Sequence, residues 1–345
     1  MKAVAVVEPG RVEIVTLAPP KPGPYQALVR TEVVALCNAT DGKLVAGHFP
    51  GVETYPLILG HEGAGIVESV GAKVRGFKPG DRVIGSLLFE FSDPKYASGW
   101  GGFCEYVLAN DHDAMVADGV ADAAHGWFEC YEIQRAVDPD IPPEEAALLC
   151  TWREVYGGIG DFQLRPQDDV LIFGAGPVGL SFVRFCRLLG LGWIGVVDPV
   201  ASKRDRARAL GADETYDPGA PELKALTTRR GKALDAVVDA VGSEAIINAA
   251  LPLVKLGGTI GVYGVLAGKT LAIDKSAGPY NFNLFVHQWP TRRRERAAQQ
   301  PLCDWIRQGR LRASDFVTHR FPVEKINDAL AAVRTGEAVK VLMRF

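Results

Sequence analysis

A chain of 345 residues exceeds the roughly 100 to 200 residues of an ordinary domain, so two domains are expected. With 48% hydrophobic and 23% charged residues and a net charge of −3, it has the composition of a soluble globular protein without a basic field for nucleic acid; Arg229-Arg230 and Arg292-Arg293-Arg294 read as solvated helix surface. The N-terminal apolar run stops at Glu8-Pro9-Gly10 and no stretch approaches the ~20 apolar residues that span a bilayer, which points to a cytoplasmic protein with no membrane partner.

Up to about residue 110 the chain reads as short strands, at 3–7, 11–17, 27–36, 65–70, 82–85 and 103–108, punctuated by Pro19, Pro20, Pro22, Gly23, Pro24 and Lys78-Pro79-Gly80-Asp81. This is a β-rich region, a small barrel or folded sheet. Residues 118–143 are irregular, with Trp127, Phe128, Cys130 and Tyr131 among acidic residues. Residues 144–156 then read as a helix whose Glu144-Glu145 complement its dipole.

Beyond that, strand and helix alternate. Val170-Leu171-Ile172-Phe173 is a strand, Gly174-Ala175-Gly176-Pro177-Val178-Gly179 a tight turn, and 178–189 a helix ending at Gly190. A second strand, 193–197, closes on Asp198, and Ser202 caps a helix to Leu210 with Gly211 behind it. Strands at 235–240 and 259–263 flank a helix at 244–254 and a stop at Gly257-Gly258. This alternation argues for a parallel sheet covered on both faces. In the glycine turn, the first glycine permits the turn, the second admits a pyrophosphate, and the third lets the helix pack against the strand. Asp198, 19 residues beyond Gly179, is placed to accept the adenosine ribose hydroxyls and to repel a 2′-phosphate, which favours NAD over NADP; Lys203 and Arg204 pull the other way. The last segment holds a helix near 297–308, a strand at 316–321, a helix at 324–333 and a final strand at 339–345, and is expected to return to the N-terminal domain.

The six cysteines contain no C-x-x-C pair, so any metal site must be assembled from distant segments. Cys37 ends one strand, His61-Glu62 begins another, and Cys150 lies 24 residues before the glycine turn. Cys and His are ligands that favour zinc, and a catalytic zinc keeps one position open.

Gly60-His61-Glu62-x-x-Gly65, followed by Gly71 and Val74, together with the glycine turn, resembles the zinc-dependent medium-chain dehydrogenases/reductases, the superfamily of alcohol, sorbitol and threonine dehydrogenases. The resemblance covers essentially the whole chain. It implies an α/β protein with a GroES-like β-rich catalytic domain, residues 1–153 and 292–345, and an inserted Rossmann domain with a doubly wound parallel sheet, residues 154–291. It implies zinc held by Cys37, His61 and Cys150, with Glu62 either a fourth ligand or a carboxylate just behind the ligands. NAD would be held by Gly174, Gly176, Pro177, Val178 and Gly179, with Asp198 and Lys203 as the ribose-binding pair, which removes the Lys203 conflict. The implied reaction is hydride transfer between a secondary or polyol-like alcohol and NAD, giving a ketone or aldehyde, with Thr40 passing the hydroxyl proton onward. A homodimer or homotetramer follows by the same analogy, with the last Rossmann strands, near 270–274, as the contact.

The chain departs from the family pattern in three places. Asn38-Ala39-Thr40-Asp41 carries one extra residue between the cysteine and the relay hydroxyl, and Lys43 stands where a relay His is usual. No cysteine lies in 86–103, where relatives carry a structural-zinc lobe, so one metal site per chain is expected. Residues 118–143 exceed the usual connection and are placed either to cover the active-site cleft, with Trp127, Phe128 and Tyr131 lining it, or to form subunit-contact surface. The rival readings are a zinc-free quinone or enoyl reductase, against which Cys37, His61, Cys150 and Asp198 speak, and a non-catalytic NAD-binding protein that has kept the fold.

Overall fold

The computed structural model describes residues 1–230 and 233–345, which divide into two compact units: Met1–Cys150 with Gln299–Phe345, and Thr151–Ala298. No helix among the described residues is long and apolar enough to cross a membrane.

The first unit is β-rich. A four-stranded sheet runs Arg11–Thr16, Lys2–Glu8, Leu57–Ile58, Ala97–Ser98; a seven-stranded sheet runs Val317–Pro322, Lys340–Arg344, Gln26–Leu36, Gly63–Val70, Arg82–Ile84, Arg135–Val137, with Tyr106–Asn110 also on Gln26–Leu36. Val4, Val6, Val34, Leu36, Leu57, Phe103, Ile326, Leu330, Val341 and Met343 fill one core between the layers, joining both ends of the chain. The last strand pairs antiparallel with Gln26–Leu36, Val341 opposite Leu36. That pairing is why the C-terminal segment belongs to this unit. Within 118–143 the chain forms two short 3-10 turns, Ala123–His125 and Glu129–Ile133, before Arg135–Val137 joins the sheet beside Arg82–Ile84.

The second unit is a doubly wound α/β domain. Its sheet, parallel throughout, has the order Glu214–Tyr216, Ile194–Val197, Val170–Phe173, Leu234–Asp239, Val254–Val262, Asn283–Val286. The order reverses beside Val170–Phe173, the place where open sheets of this kind receive a ligand at their carboxyl ends.

Several elements differ from the pattern read in the sequence. Gly257 and Gly258, expected to stop the chain before a strand, lie inside Val254–Val262; they sit in an irregularity at which Leu234 pairs with Val254 and Ala236 with Thr259. Ser202 is not the cap of its helix. Ala201–Leu210 begins two residues earlier than a Ser202 cap implies, with extended Val200 at the cap, because the Asp198 carboxylate holds the Val200 N–H at 2.8 Å. Residues 270–274 carry no strand, and the sixth strand is Asn283–Val286. Glu214–Tyr216 and the helix Pro221–Arg230 had no clear signal, the strand being short and the helix mostly polar.

Candidate functional site

Three adjacent strands of the seven-stranded sheet deliver one polar cluster. Gln26–Leu36 ends immediately before Cys37; Gly63–Val70 begins immediately after His61-Glu62; Lys340 opens the last strand. Gln26–Leu36 lies between the other two, and its Ala35 N–H donates to the Glu62 carbonyl at 2.7 Å. Residues remote in sequence therefore emerge side by side.

One ligand atom each from Cys37, His61 and Glu62 fall within 4.8 Å of one another. His61 Nε2 lies 3.7 Å from Glu62 Oε1, and on the other side of the ring Nδ1 lies 3.7 Å from Asp41 Oδ1. Asp41 is 1% exposed, and its Oδ2 accepts the Cys37 N–H at 2.9 Å. Lys340, 2% exposed, places its ammonium against Glu62 Oε2. Burial pushes the Asp41 carboxyl up to about 6, although His61 and the Cys37 N–H pull against it. Burial would lower the His61 pKa, but the hydrogen bond and charge of Cys37, then Asp41 and Glu62, outweigh it and raise it to about 10. A concentration of negative charge thus surrounds the imidazole.

These residues fit a zinc ion. Thiolate, imidazole and carboxylate are zinc donors, and the pocket is anionic enough to need a cation. His61 Nδ1 and Asp41 Oδ1 are both buried without a hydrogen-bond partner while facing each other just beyond bonding distance. That is the arrangement in which a carboxylate orients a ligating histidine through its second nitrogen, leaving Nε2 for the metal.

The other expected residues fall as follows. Cys150 is not drawn into the three-residue group; it sits in the helix Pro143–Asp161 with its Sγ 3.9 Å from the carbonyl oxygen of Gly63, one residue past Glu62. Thr40 is half-buried at the N-cap of Asp41–Ala46, its hydroxyl making no cap bond, and Lys43 lies on the same short helix. Trp127 donates to His112 Nδ1 at 3.0 Å, and the Phe128 ring centre lies 4.9 Å from that of Phe89, tilted, and 5.7 Å from that of Tyr131, edge-on. Asp41 and Lys340 went unassigned in the sequence. Asp41 stood in the relay motif as a bystander, and Lys340 left only the faint signal of a lysine opening the apolar run Val341-Leu342-Met343.

In the second unit the glycine turn follows Val170–Phe173. Gly174 takes φ +95°, which side chains rarely adopt, and a Cβ on Gly179 would stand 1.8 Å from the Gly174 carbonyl oxygen. A Cβ on Gly176 would meet nothing within 4 Å, so this backbone faces open space. Pro177 and Val178 begin the helix Pro177–Leu188, Pro177 in the first turn where a missing N–H costs nothing. Asp198, 7% exposed, accepts the Ala175 N–H at 2.7 Å with Oδ2. Lys203 lies half-buried on Ala201–Leu210, while the neighbouring Arg204 guanidinium donates to the Asp198 and Pro199 carbonyls at 2.6 and 2.9 Å.

Comparison with known proteins places both units. The family described as alcohol dehydrogenase GroES-like domain matches residues 23–118, and that described as zinc-binding dehydrogenase matches residues 177–285. An alcohol dehydrogenase of Cupriavidus necator is 30% identical, the match covering 96% of this chain and 94% of that protein. The class-3 alcohol dehydrogenase of Myxine glutinosa is 28% identical over 98% of this chain and 95% of its own. The solved structure of alcohol dehydrogenase TADH from Thermus sp. ATN1 superposes with a TM-score of 0.79 at 25% identity, covering 100% of this chain and 99% of that one.

Proposed function

The chain belongs to the zinc-dependent medium-chain dehydrogenases/reductases and is an alcohol oxidoreductase of that family; we propose that it transfers hydride between a secondary or polyol-like alcohol and NAD, using one zinc ion. The observation that carries this reading is the convergence of Cys37, His61 and Glu62 at the ends of neighbouring strands.

Cys37 and His61 would hold the metal, with Cys150, one residue-neighbour away from Glu62 through Gly63, as the further thiolate that the family resemblance implies. Zinc bound there supplies Lewis-acid polarisation of the alcohol oxygen. Asp41 keeps His61 turned with Nε2 inward, and the Cys37 N–H bond holds Asp41 in place. Thr40, whose hydroxyl is not spent on capping its helix, is free to receive the alcohol proton and pass it on. The open backbone at Gly176 and the free N–H groups of the Pro177–Leu188 N-terminus suit the cofactor pyrophosphate. Asp198 retains lone pairs beyond its two backbone bonds for the ribose hydroxyls, and Arg204 is engaged by carbonyls, which supports NAD over NADP. A homodimer or homotetramer is proposed by analogy, to be measured by light scattering.

The test is zinc content together with reduced-nicotinamide absorbance on a panel of primary, secondary, polyol and aryl alcohols, each with NAD and NADP. Turnover of a secondary alcohol with NAD by the zinc-loaded protein is expected. Zinc-free protein reducing quinones or enones with NADPH would overturn the proposal.

A further inference from the structure

Arg204 puts a cation six residues beyond Asp198, near the strand end to which the cofactor ribose is assigned. The fold engages that cation elsewhere. Val197 pairs with Tyr216 in parallel register and the Asp198 N–H donates to the Tyr216 carbonyl at 3.0 Å, so Asp198 and Asp217 leave neighbouring strands side by side. The Arg204 guanidinium joins these two strand ends. Its Nη1 donates to the Asp198 carbonyl at 2.6 Å, to the Pro199 carbonyl at 2.9 Å and to Asp217 Oδ2 at 3.3 Å, whereas the Asp198 carboxylate accepts from Ala175 and Val200. We propose that Asp217 is a positioning residue that excludes NADP: its carboxylate holds and neutralises the Arg204 guanidinium on the carbonyl side of Asp198, so that this cation is not offered to a 2′-phosphate.

Three features support this. Asp217 is oriented without help from Arg204, because its Oδ1 accepts the Gly219 N–H at 2.9 Å and its carbonyl accepts the Ala220 N–H at 3.0 Å, which fixes the turn that carries it. Of the three acceptors on Arg204, only Asp217 is charged. The two carbonyls by themselves would leave the guanidinium its full attraction for a phosphate. Finally, all three acceptors share one nitrogen, which leaves Nε and Nη2, an edge able to grip a phosphate through two parallel bonds, with no protein partner among the described residues. The side chain also has room to turn, since Arg204 and Asp217 both line a groove of about 760 Å³ along the edge strand Glu214–Tyr216.

The inference rests on the NAD reading of Asp198, and fluorescence titrations with NADH and with NADPH separate the two without any turnover. The quantity read is the ratio of the NADPH to the NADH dissociation constant. Wild type is expected to show a ratio well above one; a ratio at or below one overturns the NAD reading and the proposal with it. The Asp217 side chain is 47% exposed, so changing it leaves the fold intact. Asp217→Asn keeps an oxygen for the Gly219 N–H, removes the charge, and should lower the ratio about fivefold, the weight of one exposed ion pair. In Asp217→Asn/Arg204→Gln the ratio should return to that of wild type. Arg204→Gln alone should leave the ratio where it stands, because the guanidinium is already withheld. If wild type prefers NADH and Asp217→Asn shows the same ratio, the proposal alone is overturned. A lowered ratio that persists in the double variant overturns it too, since the gain then owes nothing to Arg204, and so does a raised ratio in Arg204→Gln, which would mean that Arg204 already serves the phosphate.

Discussion

The carboxylate of Asp198 accepts the N–H of Ala175 through one oxygen, at 2.7 Å, so the residue that ends the second strand of the parallel sheet braces the turn that follows the first. Its other oxygen takes the N–H of Val200. Asp198→Ala strands both donors at a buried site, which costs about 1–3 kcal/mol each when a partner is removed. A lowered Tm and a fall in kcat/KM with NAD larger than with NADP are expected together. An unaltered Tm would show that the brace carries no load.

Gly176 and Gly179 separate binding from folding. Gly179→Ala forces a Cβ to 1.8 Å from the Gly174 carbonyl, and overpacking against backbone costs about 1–3 kcal/mol or more. Gly176→Ala meets open space at φ −72°, so its denaturation midpoint should match wild type while its affinity for NADH falls. Urea denaturation and NADH fluorescence titration measure the two effects.

Asp41→Asn keeps an oxygen for the Cys37 N–H but removes the charge facing His61. Zinc affinity is expected to fall about 10- to 100-fold, the range for partners that orient a ligating histidine. Competition with a chromogenic chelator reads the change; an unchanged affinity would mean that Asp41 does not orient the ring.

Metal analysis of the purified chain should give one zinc equivalent, lost in Cys37→Ala and in His61→Ala. Chelation should abolish alcohol oxidation and lower Tm, since an ion bound only by the folded state stabilises it by mass action. Two tightly held zinc ions per chain would contradict the expectation drawn from the missing cysteines.

Glu144 accepts from Arg320 at 2.7 and 2.8 Å and from Arg344 at 2.9 Å. The Arg320 hydrogen bond, against some desolvation and with help from Arg344, holds its carboxyl below the usual value. A depressed folded-state pKa contributes stability that is present above the unfolded value of about 4.3 and lost as pH falls through the folded one. Glu144→Gln should therefore lower Tm modestly near neutrality and converge with wild type in strong acid, as a pH series of thermal melts would record.

What could be read without coordinates is unevenly spread. The glycine turn, Val170–Phe173 and Pro177–Leu188 stood out because strand, turn and helix are adjacent in the chain and each has a local stereochemical cause. The 118–143 stretch did not resolve beyond irregularity, because 3-10 turns and a three-residue strand lack a period long enough to detect.

Spacing, strand ends and resemblance were enough to read the two-unit plan, the glycine turn with Asp198 beyond it, and Cys37, His61 and Glu62 as a candidate metal set. That Asp41 faces His61 and that Lys340 meets Glu62 emerges only once the chain is folded. The physical reason is the order of strands. Hydrogen bonding sets Gln26–Leu36 between Gly63–Val70 and Lys340–Arg344, so residues from opposite ends of the chain share one charged site, and no local propensity records which strands will be neighbours.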